Sequence, residues 1–178
     1  MRRPGRAEWI AAGVVLIAIA GYFLLLRHLD ERARIYFQHL RDSDPATYLT
    51  NLRQARGFDT YLAEYAALEG FDDYSPQVPG FILGRWTMRD APLRLIPGKG
   101  PDACSDPAVF EYGLYLSPET AETSTPVQYR LDGTTVLMRD YNDRVYPIRL
   151  IAYGAQLDHL EFVPPGREAP VYAYLCGR

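Results

Sequence analysis

Trp9 to Leu26 is an unbroken run of eighteen uncharged, mostly apolar residues, WIAAGVVLIAIAGYFLLL, ended abruptly by Arg27 and His28. As a helix rising 1.5 Å per residue it spans about 27 Å, close to the hydrocarbon thickness of a bilayer. Trp9 falls toward one interface, and Tyr22 lies a turn inside the other end. The run reads as a transmembrane anchor over 9–26, preceded by a cytoplasmic tail at 1–8. A secretory signal is the competing reading, because Ala18-Ile19-Ala20 fits a small-residue cleavage pattern. The apolar run nevertheless continues through Tyr22–Leu26, where a signal peptide turns polar, and no cysteine follows to accept a lipid.

Charge orients such an anchor only weakly here. Arg2, Arg3 and Arg6 precede the run, but Arg27, Arg32 and Arg34 follow it. Cys104 and Cys176, seventy-two positions apart, together with the short N-terminal tail, point to a tail inside and a domain outside. They form no metal or haem spacing, so in an oxidising compartment a disulfide is their natural reading; two unrelated buried thiols are the alternative. The chain has nineteen basic residues, and Lys99 is the only lysine among them. That bias points to a GC-rich bacterial genome, and hence to an inner-membrane anchor with a periplasmic domain. Residues 27–178 carry sixteen basic and twenty-one acidic side chains, a net −5. No nucleic acid is expected as a partner, because phosphate-backbone binding needs the opposite sign.

After the anchor, residues 27–70 read as a helical stalk. Leu29, Ala33, Tyr36, Phe37 and Leu40 recur at helical spacing. Asp44-Pro45 restarts a second helix, with Asp44 as N-cap and Pro45 at the first position. Gly57 closes it; Asp59 or Thr60 caps a third, short helix that ends at Gly70. Residues 71–80, with Pro76 and Pro79, form a linker. From 81 to 178 the period changes to two. Ile82, Gly84, Trp86 and Met88 share a face; Phe110, Tyr112, Leu114 and Leu116 read as one strand; Val127, Tyr129 and Leu131 lead into Asp132-Gly133, a hairpin signal. Further strands are predicted at 134–140, 144–153, 157–163 and 170–176. The expected fold class is α+β: a transmembrane helix and helical stalk, then a mostly antiparallel β-barrel or sandwich of about seven strands.

Gly84-Arg85-Trp86, on the first strand after a helical lead-in, resembles the Gly-x-Trp opening of lipocalins and related calycin barrels. The resemblance implies that Trp86 plugs the closed end of a barrel. It makes Arg178 the candidate for the late arginine packed over the tryptophan, and Arg139-Asp140-Tyr141 an echo of the second motif. By the same resemblance the barrel carries a small apolar ligand or inhibits an enzyme.

Chemistry-bearing motifs are scarce. His28 and His39 are three helical turns apart, too far for joint metal ligation, and read as solvated stalk residues. His159 alternates with Leu160 and Phe162 and is expected to face solvent with Glu161. Lys99, in Pro97-Gly98-Lys99-Gly100, lacks the Ser/Thr and the strand-to-helix setting of a phosphate loop, and is expected in an exposed turn. A hydrolase would need carboxylates such as Glu111 and Glu161 to converge. No catalytic residue, metal ligand or cofactor is expected. Fourteen tyrosines are the compositional excess. Tyr112, Tyr129, Tyr172 and Tyr174, with Trp86, are the candidate ligand- or partner-binding residues if the tyrosines share one sheet face; otherwise they fill the barrel with their hydroxyls at its rim. The expected function is a non-catalytic accessory or binding module held at the membrane and contacting a protein partner of an envelope assembly.

Overall fold

The polar–apolar alternation that starts at Gly84 produces a closed antiparallel barrel of eight strands, each pairing with the next in sequence and the last with the first. A computed structural model describes residues 6–96, 100–105, 107–117 and 124–176, with side chains from residue 13 onward. Arg178, Lys99 and the arginines at 2 and 3 lie outside the described residues. The strands are β1 (Gly84–Arg89), β2 (Ala108–Glu111), β3 (Leu114–Leu116), β4 (Ser124–Asp132), β5 (Thr135–Asp140), β6 (Val145–Tyr153), β7 (Gln156–Phe162) and β8 (Val171–Leu175).

Eight strands stand where about seven were expected because the run 110–116 is two strands and not one. Glu111 pairs with Leu114 across a two-residue turn, Tyr112-Gly113, and Gly113 takes a φ of +67° that other residues adopt at a cost. The turn reverses the facing, so Tyr115 is buried while Tyr112 is 70% exposed. At the β4–β5 hairpin Asp132 pairs with Thr135, so the turn residues are Gly133-Thr134. Gly133 alone of the two has positive φ (58°), which makes this a II′ turn with its glycine in the first central place.

Three helices precede the barrel: α1 (Arg6–Ser43), α2 (Pro45–Arg56) and α3 (Phe58–Glu69). α1 runs without a break from the apolar segment into the charged one. From Gly13 it is long and apolar enough to cross a membrane, and its apolar side chains from Val14 to Leu26 are exposed. Asp44 caps α2 as expected, accepting from the Thr47 N–H at 3.1 Å, and those bonds to Thr47 hold its carboxyl below the ordinary range. α3 starts earlier than an Asp59 or Thr60 cap implies: its N-cap is Gly57, two residues before Asp59, and Asp59 lies in the first turn.

The chain forms two compact units, 1–48 and 49–178. In the second, the α2–α3 junction is pinned to the β6–β7 turn, where Phe58 N–H donates to Gly154 O at 3.0 Å and Arg53 Nε–H donates to Ala155 O. The rings of Phe58, Tyr61 and Tyr65 on α3 pack edge-on against Phe81, and Tyr65 stacks on Phe71 at 5.5 Å. Residues 71–76 do more than connect. Ser75 bridges Tyr129, and Leu131 N–H donates to Phe71 O, so this segment lines the edge of β4 that the three-residue β3 leaves uncovered. Cys104, ahead of β2, and Cys176, after β8, form a disulfide with their Cα atoms 5.6 Å apart.

Candidate functional site

The five residues singled out from the sequence are divided among three environments. Trp86 and Tyr129 point into the barrel, 1% and 0% exposed. Trp86 Nε1–H donates to Ile82 O at 2.8 Å, and Tyr129 donates to Leu114 O at 3.1 Å. Burial, with Tyr115 and Glu111 nearby, pushes the Tyr129 hydroxyl well above the ordinary tyrosine range. Tyr172 and Tyr174 point outward from the barrel wall, because Tyr174 pairs with Thr87, and Tyr172 with Arg89 and Glu161, one step out of phase with the inward Ala173; Tyr174 is nevertheless covered, 1% exposed. Tyr112 occupies the β2–β3 turn. The four tyrosines therefore do not share a face.

Inside, Trp86, Phe110, Tyr115, Tyr129, Met138, Ile148 and Leu160 are all fully buried. These large side chains occupy the lumen, with the ring of Phe110 5.2 Å from Tyr115 and 5.9 Å from Phe162. Asp140, at the mouth of β5, is a fastener: its carboxylate accepts from the N–H groups of Asn142 and Arg144 and from the Tyr146 hydroxyl at 2.8, 3.0 and 3.1 Å.

The richest polar cluster is on the outer face of β6–β8, and alternation misplaces it. His159, expected in solvent, is buried. Ile151 pairs with His159 and Ala152 with Leu157, leaving Asp158 as the extra residue of a β-bulge. Neighbours on a regular strand point to opposite faces, and a bulge turns them to one side. Asp158 Oδ2 consequently lies 2.7 Å from His159 Nδ1, while Glu161 Oε1 is 3.4 Å from Nε2. Arg149, opposite Glu161 on β6, closes the chain with an Nη1–Oε2 contact of 2.9 Å. The rings of Tyr172 and Tyr174 flank the imidazole at 5.9 and 5.3 Å. A distant segment completes the cover: Leu93 N–H donates to the Tyr174 hydroxyl at 2.7 Å, and burial raises that phenol above its usual range. No local sequence signal marks either the bulge or this cover.

A base must offer a free lone pair to its substrate. Here each ring nitrogen already faces a carboxylate, and Glu161 is engaged by both His159 and Arg149. Beside the cluster runs an outer groove of about 530 Å³, walled by Pro147, Pro170, Val163 and Tyr172 with Arg149 and Glu161 at its polar end. A second, of about 340 Å³, lies between Pro76, Pro126, Arg139 and Tyr141. Among the described residues no group of three His, Cys, Asp or Glu side chains is placed to hold a metal ion. No family model, curated protein or solved structure matches the chain.

Proposed function

We propose that this protein is a single-pass component of a bacterial envelope. α1 anchors it in the inner membrane, the barrel lies in the periplasm, and the barrel's outer surface contacts a protein partner without catalysing a reaction. The observation that carries this reading is the filled lumen: its large side chains are buried, and the rings of Phe110, Tyr115 and Phe162 pack against one another. What remains for recognition is the outside, where the β6–β8 groove joins apolar walls to the Arg149–Glu161 pair, the mixture typical of protein contacts. The apolar helix supports the anchor, and a disulfide is at home in an oxidising compartment. The His159 ring, with a carboxylate at each nitrogen, supports a structural role for the one cluster among the described residues that resembles acid–base machinery.

Gly84-x-Trp86 on β1 and the next-neighbour closure of eight strands support a calycin-like architecture. Within that architecture the filled lumen favours an inhibitor or docking module over a carrier. Native mass spectrometry of the full-length protein, extracted from its own membranes in mild detergent, tests this. A stoichiometric protein partner is the expected result. A monomer carrying a discrete small molecule would overturn it in favour of the carrier.

A further inference from the structure

We infer that α1 pairs with α1 of a second copy of this chain, in parallel and in register, a statement that rests on the anchor reading of α1 but not on which compartment holds the barrel. What carries it is the phase of the apolar residues beyond the apolar run of the helix. Between 27 and 43 the helix is charged, yet Leu26, Leu29, Ala33, Tyr36 and Leu40 follow one another at intervals of three and four. That is the a/d repeat of a coiled coil. Each of the seven charged groups in this stretch, from Arg27 to Asp42, falls off the seam. Projected back into the membrane, the same phase passes through Tyr22 and Ile19.

The seam is open along most of its length. Leu29 is 53% and Tyr36 58% exposed, and Ala33 is exposed as well. Phe37, one step off the seam, has a different use, its ring lying 6.2 Å from Tyr48 on α2. Most helical stability in proteins comes from packing an apolar face, and a partner helix supplies the packing that this stripe lacks. Several features select a second copy. α1 is continuous through the apolar run, so all copies enter the aqueous phase at one depth and in one direction, which fixes a parallel register. Each copy offers the same seam. Four arginines against three acidic residues over 27–43 leave the segment near neutrality, so like copies repel little. Tyr22 at a d position would face its counterpart, giving its hydroxyl a partner within the apolar layer.

The test is disulfide trapping in native membranes, using the full chain with single substitutions; the chain's own two cysteines are already joined. Leu29→Cys, Ala33→Cys and Tyr36→Cys report the seam, and Glu31→Cys, Arg34→Cys and Gln38→Cys the opposite face. Mild oxidation should give a species of twice the chain mass at 29, 33 and 36, with the other three remaining monomeric. Equal trapping at all six positions, or none at any, would overturn the inference. So would adducts whose mass is not twice that of the chain, which would assign the seam to another protein. Retention in membranes after an alkaline carbonate wash reads the anchor separately, so a chain that stays put yet is not trapped sinks the pairing alone. As a second arm, Leu29→Glu should disperse the detergent-extracted dimer and Gln38→Glu should leave it intact; the reverse would refute it.

Discussion

At the scale of single residues, several of the fourteen tyrosines are buried or half-buried and held in place by their hydroxyls. Tyr129 is wholly inside, and Tyr65, Tyr146 and Tyr174 are also held above the ordinary 10.0, each chiefly by burial. A phenol whose folded pKa is raised stays neutral in the fold after its unfolded counterpart has ionised. Its contribution to stability is complete below pH 10 and is lost as the pH climbs from there toward the folded value. The denaturant midpoint should therefore hold steady up to about pH 9 and fall clearly by about pH 11. Tyr129→Phe should lower the neutral-pH stability by about 1 kcal/mol through its lost bond to Leu114 O, and should flatten the alkaline fall. A midpoint that fell as steeply in Tyr129→Phe as in the parent would remove Tyr129 from the explanation. Asp140 gives a second residue-scale outcome. Its carboxylate ties down two backbone N–H groups and a phenol, so Asp140→Ala should cost about 2 kcal/mol by chemical denaturation, with Asp140→Asn intermediate.

At the scale of elements, the barrel depends on connections that strand pattern alone does not reveal. The Cys104–Cys176 bridge spans seventy-two positions and joins the approach to β2 with the exit of β8. Loop-closure entropy assigns such a bridge about 4 kcal/mol. The double Cys→Ser variant should lose about that much, and a reductant should lower the melting temperature of the parent but not of the variant. The residues also show what a sequence can and cannot disclose. The bounds of β5 through β8 are legible to within a residue or two, because glycine, proline or aspartate stands at or near their turns, although the bulge in β7 breaks its alternation. The β2–β3 hairpin is not, since Phe110, Tyr112, Leu114 and Leu116 keep an even spacing straight through the turn and Gly113 alone marks the reversal. His159 escapes for another reason. It sits beside a bulge at Asp158 and against the ring of Tyr174, whose hydroxyl is held by Leu93, and neither leaves a trace in local period. The candidate site was accordingly far less visible than the fold.

At the scale of the whole molecule, the question is where the second compact unit begins. The period of the sequence changes near residue 81, which suggests that the barrel could be cut free there. The packing says otherwise. Phe71 and Phe81 are buried against the rings of α3, Phe58 N–H is bonded to the β6–β7 turn, and 71–76 lines an edge of β4. Removing everything before residue 81 strips the partners from Phe81, Ile82 and the open edge of β4 together. Each large apolar group so exposed costs about 2–3 kcal/mol, which is a large share of what a domain this size has to spare. A chain starting at residue 45, with its disulfide formed, lacks the long apolar helix and should therefore be soluble, monomeric and cooperative in unfolding. One starting at residue 81 should aggregate, or melt without a sharp transition. Calorimetry and sedimentation of the two fragments decide the matter. If the shorter fragment were equally cooperative, α3 would be an appendage, and the barrel would hold its own core without the ring cluster beneath it.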